Sequence, residues 1–135
     1  MTPDEGLFRA GLVEQWLNKA GDDLGLCLKL IHDDAPFFSA IAFHAQQAAE
    51  KYLKAFLVRH QIEFPKTHDM KELLILAARK NSALAVRLEE AKTLTPFAAN
   101  VRYPMDEEEL TLAVVRRAVQ IAVEVRDAVE AELGR

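Results

Sequence analysis

Apolar residues recur at intervals of three and four along most of the chain, which is the spacing of one face of an α-helix. The two longest such patterns cover about residues 7–31 and 37–61. Shorter ones follow at about 67–80 and 82–94, and a valine-rich pattern covers about 106–133. No segment alternates apolar and polar residues as a half-buried strand does. The sequence therefore predicts an all-α fold, an antiparallel bundle of about five helices.

Length and composition narrow the class of protein. The 135 residues predict one domain spanning positions 1–135. A single cysteine, Cys27, excludes a disulfide scaffold and a cysteine-built zinc site. No apolar run is long enough to cross a membrane, and the first residues lack the basic region of a signal peptide. We therefore expect a cytoplasmic protein that does not contact a membrane.

Charge is distributed unevenly around a net value of −4. Residues 1–40 and 106–135 are acidic, whereas residues 41–105 carry ten basic and six acidic side chains. Three of the four histidines also fall in this middle part. Two interpretations stay open: uneven surface charge on a bundle, or a centre that attracts phosphate groups.

The segment 42–55 presents two different faces on a helical wheel. One face is predicted to point into the bundle, and it is rich in alanine, so that a neighbouring helix can approach closely. With the adjoining residues of the same helical pattern, this inner face comprises Ile41, Ala42, Ala45, Ala48, Ala49, Tyr52, Leu53 and Phe56. The other carries a polar stripe of His44, Gln47, Glu50, Lys51 and Lys54. This stripe is either a solvated face with a weak Glu50–Lys54 pair or a binding surface.

Three ordered motifs give the chain a family resemblance. The segment 43–55 reads FHAQQAAEKYLKA, residues 66–69 read KTHD at the start of a short helix, and residues 102–104 read RYP. Together they resemble the HEPN domain family over about residues 10–130. The resemblance implies a dimeric helical bundle similar to the substrate-binding helical domain of nucleotidyltransferases.

The same resemblance implies partners and ligands. Many members act with a minimal nucleotidyltransferase, some of them as toxin–antitoxin pairs, and the associated ligands are nucleotides or RNA. Other members are RNases that carry an arginine, four to six residues and then a histidine. No arginine precedes His32, His44, His60 or His68 at that spacing.

The missing motif favours a non-catalytic module that binds a nucleotide or nucleic acid and acts with a nucleotidyltransferase. Two alternatives stay open. One is a variant RNase toxin that uses Lys51, Lys54, His44 or His68. The other is a structural dimerisation module whose polar stripe is solvated.

The candidate ligand-binding residues come from all three motifs. We expect the stripe to lie along one groove beside the second and third motifs, because the chain turns back at both. The candidates are His44, Gln47, Lys51, Lys54, His68, Arg102 and Tyr103. For Arg102 and Tyr103 there is a competing interpretation, in which the tyrosine packs against the bundle and the arginine pairs with a carboxylate.

The other reactive side chains lack partners at useful spacing. His44 has no second metal ligand three or four positions away, so we expect no metal site and no metal cofactor. His60 is predicted to be an exposed or capping residue near a helix end. Cys27 falls on the apolar stripe of the first helix and is predicted to be a core thiol.

The last helix is apolar over more than half of its circumference, which predicts two packing partners. One is the bundle, and the other is a second copy of the chain. The expected homodimer face comprises Leu112, Val115, Val119 and Val123, with Leu26 and Leu30 of the first helix added. A nucleotidyltransferase covering the same face is the competing outcome.

Overall fold

The computed structural model describes residues 2–99 and 110–135. Within these ranges the fold has five α-helices, one 3₁₀ helix and no strand, so the predicted all-α bundle is confirmed. The elements are α1 (Pro3–His32), α2 (Phe38–Arg59), α3 (Met70–Ala78), α4 (Ser82–Arg87), the 3₁₀ helix (Glu89–Ala98) and α5 (Leu112–Glu132). None of the helices in the described ranges combines the length and apolar character that crossing a membrane requires.

Local sequence sets the ends of the long helices. Thr2 and Glu5 form a capping box, in which each side chain accepts a hydrogen bond from the other residue's backbone N–H. The first helix therefore begins at Pro3, before the apolar pattern that predicted it. After α1 and α2 the chain turns through Asp34 and Gln61 at positive φ, and backbone bonds across each turn satisfy the last carbonyls.

The second helix, α2, lies at the centre of the bundle. Cys27 lies against Ile41, and Trp16 lies near Lys54, so α1 and α2 run antiparallel. The predicted inner face of α2 is confirmed, because all of its residues are at most 3% exposed: Ile41, Ala42, Ala45, Ala48, Ala49, Tyr52, Leu53 and Phe56. The alanines leave room for close approach of the neighbouring helices, which positions the side chains described below.

The last helix differs from its prediction in two respects. It begins at Leu112, and the Thr111 side chain accepts the capping hydrogen bond from Val114 N–H, whereas the predicted start at Asp106 lies outside the described residues. Val115 and Val119 are buried in the bundle, so the assignment of both to a dimer face is wrong. The apolar arc is wide because α5 contacts α1, α2 and the 3₁₀ helix of its own chain.

Cys27 is the core thiol that the sequence predicts. Its side chain is fully buried, and Sγ donates a weak hydrogen bond to the carbonyl of Ile41 at 3.4 Å. Burial raises the pKa of Cys27 to about 12, and the nearby charge of Asp23 acts in the same direction. The thiolate is therefore strongly disfavoured at neutral pH.

We expect Cys27 of the folded protein to resist alkylation by iodoacetamide at about pH 8, because the thiolate is the reactive species. The same reaction in urea should go to completion as the thiol is exposed. Mass spectrometry of the intact protein gives both rates. Rapid alkylation without denaturant would contradict the buried position of Cys27.

Candidate functional site

The first polar cluster joins α1 to α2 through one carboxylate. Asp23 Oδ1 lies 2.7 Å from His44 Nδ1, and Asp23 Oδ2 accepts a hydrogen bond from Lys51 Nζ at 2.5 Å. The Asp23 side chain is 11% exposed, whereas those of His44 and Lys51 are 30% and 21% exposed. The carboxylate therefore lies deeper than the two groups that it holds.

Helix geometry explains this arrangement. His44 and Lys51 are seven residues apart, so they lie two turns apart on one side of α2. Asp23 follows Ala20 by one turn on α1 and faces the same gap between the helices. Because His44 Nδ1 faces the carboxylate, the second ring nitrogen, Nε2, is the one left for a ligand.

The second polar cluster surrounds Glu50 inside the bundle. Its carboxylate accepts hydrogen bonds from Gln46 Nε2 and Lys54 Nζ, each at 3.0 Å, and lies 2.7 Å from His68 Nδ1. Gln46, Glu50 and Lys54 are all at least nine-tenths buried, whereas the His68 side chain is 64% exposed. Glu50 and Lys54 therefore form a buried ion pair, and His68 is the exposed side chain of this cluster.

Further contacts fix the KTHD turn against α2. Lys54 Nζ donates to the carbonyl of Thr67 at 3.0 Å and lies within 6 Å of the ring centroids of Trp16 and Phe64. Gln46 Nε2 also donates to the carbonyl of His68 at 3.4 Å. The next residue, Asp69, caps α3, since its side chain accepts a hydrogen bond from Lys71 N–H. The buried lysine is therefore held by a carboxylate, a carbonyl and two aromatic faces.

The HEPN domain family model matches residues 13–132, which is most of the chain. The chain belongs to the HEPN domain family. Comparison with curated proteins and with solved structures gives no significant match.

The HEPN domain brings the predicted site residues together in two groups. His44 and Lys51 share Asp23, and Lys54 and His68 share Glu50. Gln47 Nε2 donates to Gln46 Oε1 at 2.7 Å and so joins the second group. Arg102 and Tyr103 lie outside the described residues.

The interpretation of the stripe as a solvated face is wrong at two positions. Glu50 and Lys54 are buried, because the KTHD turn and the aromatic pair of Trp16 and Phe64 lie over that part of α2. A surface pair at this spacing contributes only a few tenths of a kcal/mol, roughly 0.2–0.5. A buried pair carries a far larger penalty when one partner is removed.

Sequence reasoning missed Asp23 and Gln46. Asp23 interrupts the apolar stripe of α1, since it follows Ala20 by three positions and precedes Cys27 by four. Gln46 falls in the same way among the alanines of α2. A polar residue within an apolar helical stripe is a usable signal, because burial there requires a hydrogen-bonding partner.

His60 of the HEPN domain occupies the C-cap of α2. Its ring packs edge-on against Phe56 with centroids 4.5 Å apart, and among the described residues Nε2 is buried without a hydrogen-bond partner. Burial lowers the pKa of His60 below its usual 6.5, and the charges of Lys80 and Arg59 act in the same direction. His60 therefore takes the capping alternative of the prediction, and its ring is partly buried.

A pH dependence of stability follows from His60. Since the pKa of His60 is lower in the folded state, the unfolded chain binds more protons below about pH 6.5. This contribution to stability is complete above that pH and decreases as the pH falls. We expect His60→Gln to lose less stability than the wild type between about pH 7.5 and pH 5 in urea unfolding.

The matched control for this measurement is His32→Gln, because the His32 side chain is 85% exposed at the end of α1. His32→Gln should lose as much stability over this pH range as the wild type does. Equal losses in the wild type and in His60→Gln would contradict a role for the buried imidazole.

Groups of three or more potential metal ligands do not occur among residues 2–99 and 110–135. The two clusters are instead held by hydrogen bonds and ion pairs. The reactive groups that these clusters present are therefore lysine and histidine side chains held in fixed positions by carboxylates.

Proposed function

We propose that this HEPN protein is a non-catalytic module that binds a nucleotide or a nucleic acid and acts with a nucleotidyltransferase partner. The observation that carries the proposal is the partly exposed pair of His44 and Lys51, which Asp23 holds in a fixed position. Family membership supports the class of ligand and partner.

The pair has the chemistry to bind a phosphate. An ammonium group has three N–H donors, so Lys51 can hold Asp23 and still donate to an anion. The His44 imidazole can add a second donor through Nε2 when it is protonated. Because Asp23 compensates part of the positive charge, the expected affinity is modest and decreases with added salt.

Two features support a role without catalysis. No histidine follows an arginine at the spacing of the family's RNases. Lys54, the other lysine of the stripe, is buried and bonded to both Glu50 and Thr67, so it is poorly placed to reach a substrate. General acid–base cleavage of RNA requires an accessible cation beside a positioned proton acceptor, and Lys54 does not supply that cation.

Calorimetry with nucleoside triphosphates and short RNA tests the ligand. We expect binding by the wild type and a clear loss of affinity in Lys51→Met. Lys19→Met is the matched control, because Lys19 is an exposed lysine of α1. Equal affinities of the two variants would remove Lys51 from the site.

The partner is tested separately. We expect an adjacent gene to encode a minimal nucleotidyltransferase and the two purified proteins to co-elute as one complex. The proposal fails if the HEPN protein binds neither nucleotides, nor RNA, nor that enzyme.

A second candidate, a variant RNase, is favoured by one observation. The 2.7 Å approach of Asp23 to His44 Nδ1 orients the imidazole so that Nε2 can act as a general base, with Lys51 beside it. Growth arrest on overexpression that His44→Ala abolishes would support this activity. Normal growth with intact cellular RNA would leave the binding function.

We also propose a homodimer, through a face that keeps Leu112 and Leu26 of the first assignment and has Val114 in place of the buried Val115 and Val119. Leu112 and Val114 of α5 and Leu26 of α1 are each about two-fifths exposed. Light scattering should give about twice the 15.2 kDa of one chain, and Leu112→Glu should lower the mass. A single-chain mass for the wild type at micromolar concentration would contradict the dimer.

A further inference from the structure

A groove of about 880 Å³ lies between the first turns of α1 and the chain that follows α2. Its apolar lining includes Phe8, Leu12, Ile62 and Phe64. The Phe8 side chain is especially accessible, since the residue is 70% exposed. An exposed aromatic residue beside a concave apolar surface is typical of a protein-docking site.

The charges around this groove define the partner. Asp4, Glu5 and Glu63 contribute three carboxylates to its lining, against the single guanidinium of Arg9. An excess of negative charge disfavours nucleic acid and favours a basic partner. We propose that the groove docks a basic amphipathic segment of another protein, with an apolar side in the groove and lysine or arginine residues at the acidic edge.

A second copy of this chain fits the groove poorly. A two-fold interface places the same surface against itself, so two acidic edges would meet. Like charges facing each other across an interface are unfavourable. A basic segment gains from the same carboxylates, which selects it over a second copy.

A tryptophan beside the groove provides a fluorescence signal for binding. Trp16 is the single tryptophan of the chain, and its ring centroid lies 6.3 Å from that of Phe64 in the lining. Binding in the groove is therefore expected to change the tryptophan emission. The inference is independent of the nucleotide proposal, because variants of Phe8 leave Lys51 and His44 in place.

The test uses a helical peptide built from leucine and lysine, which has no tryptophan, and its leucine–glutamate counterpart. We expect the basic peptide to change the emission of the wild-type protein and to bind less tightly as salt is added. Phe8→Ser should weaken binding by about tenfold or more, as is usual for an aromatic side chain that becomes buried in the complex. Val86→Ser is the matched control, since Val86 is 74% exposed on α4, and it should bind as the wild type does.

A charge variant separates electrostatic from apolar binding. Glu63→Lys should weaken binding of the basic peptide, whereas Asp22→Lys, an exposed position of α1 outside the groove, should not. The proposal is overturned if the basic peptide does not bind, if the acidic peptide binds equally well, or if Phe8→Ser binds unchanged. A wild-type dimer that Phe8→Ser converts to monomer would also overturn it, because a second copy would then occupy the groove.

Discussion

Glu50→Ala is expected to destabilise the protein by about 3–5 kcal/mol, measured as the free energy of unfolding in urea. The substitution leaves the buried ammonium of Lys54 without its carboxylate, and a nearby carbonyl and two aromatic rings cannot replace the lost charge. It also removes one of the two acceptors of Gln46 Nε2 and the carboxylate partner of His68 Nδ1. Glu50→Gln keeps the side-chain volume but removes the charge, and it should still be strongly destabilising. Comparison of the two variants separates the effect of the lost charge from that of the cavity.

The matched control is Glu89→Ala. Glu89 pairs with Lys92 on the surface of the 3₁₀ helix, and its side chain is 64% exposed, so the loss should be about 0–1 kcal/mol. The double variant Glu50→Leu with Lys54→Met should recover much of the stability, because it removes both buried charges. Similar losses for Glu50→Ala and Glu89→Ala would show that Lys54 is solvated in solution.

Val119→Asp is expected to leave most of the chain unfolded. The valine is 5% exposed, and burial of an unpaired carboxylate costs several kcal/mol, against a total stability of about 5–15 kcal/mol for a typical domain. Circular dichroism at about 25 °C should show a large loss of helicity. The expectation follows from the burial of Val119 against the chain's own helices.

Val114→Asp is the comparison on the same helix. Val114 is 40% exposed, so the new carboxylate can remain in water and helicity should be kept. Retained helicity in Val119→Asp together with a loss of dimer mass would restore the interface first assigned to that face.

Helical periodicity was sufficient to predict much of this fold. The spacing of Ile41, Ala45 and Leu53 predicted the buried face of α2, and the position of Cys27 predicted a core thiol. Both inferences depend only on which residues share a helix face. The start of α1 was missed because the capping box lies ahead of the apolar pattern.

The candidate site could be predicted only in part. Sequence placed His44 and Lys51 on one side of α2, but the carboxylate that joins them comes from α1, twenty-one residues from His44. Such a partner depends on how two helices are set against each other. The burial of Lys54 depends in the same way on a turn that folds over it.

The position of α2 also bears on how the protein opens. Thirteen of its residues are buried, and it contacts α1, α3, α5 and the 3₁₀ helix. Amide protons in such an element exchange with solvent mainly when the whole domain unfolds. We therefore expect slow exchange of the backbone that carries His44 and Lys51, and a ligand at the proposed site would meet both side chains already in position.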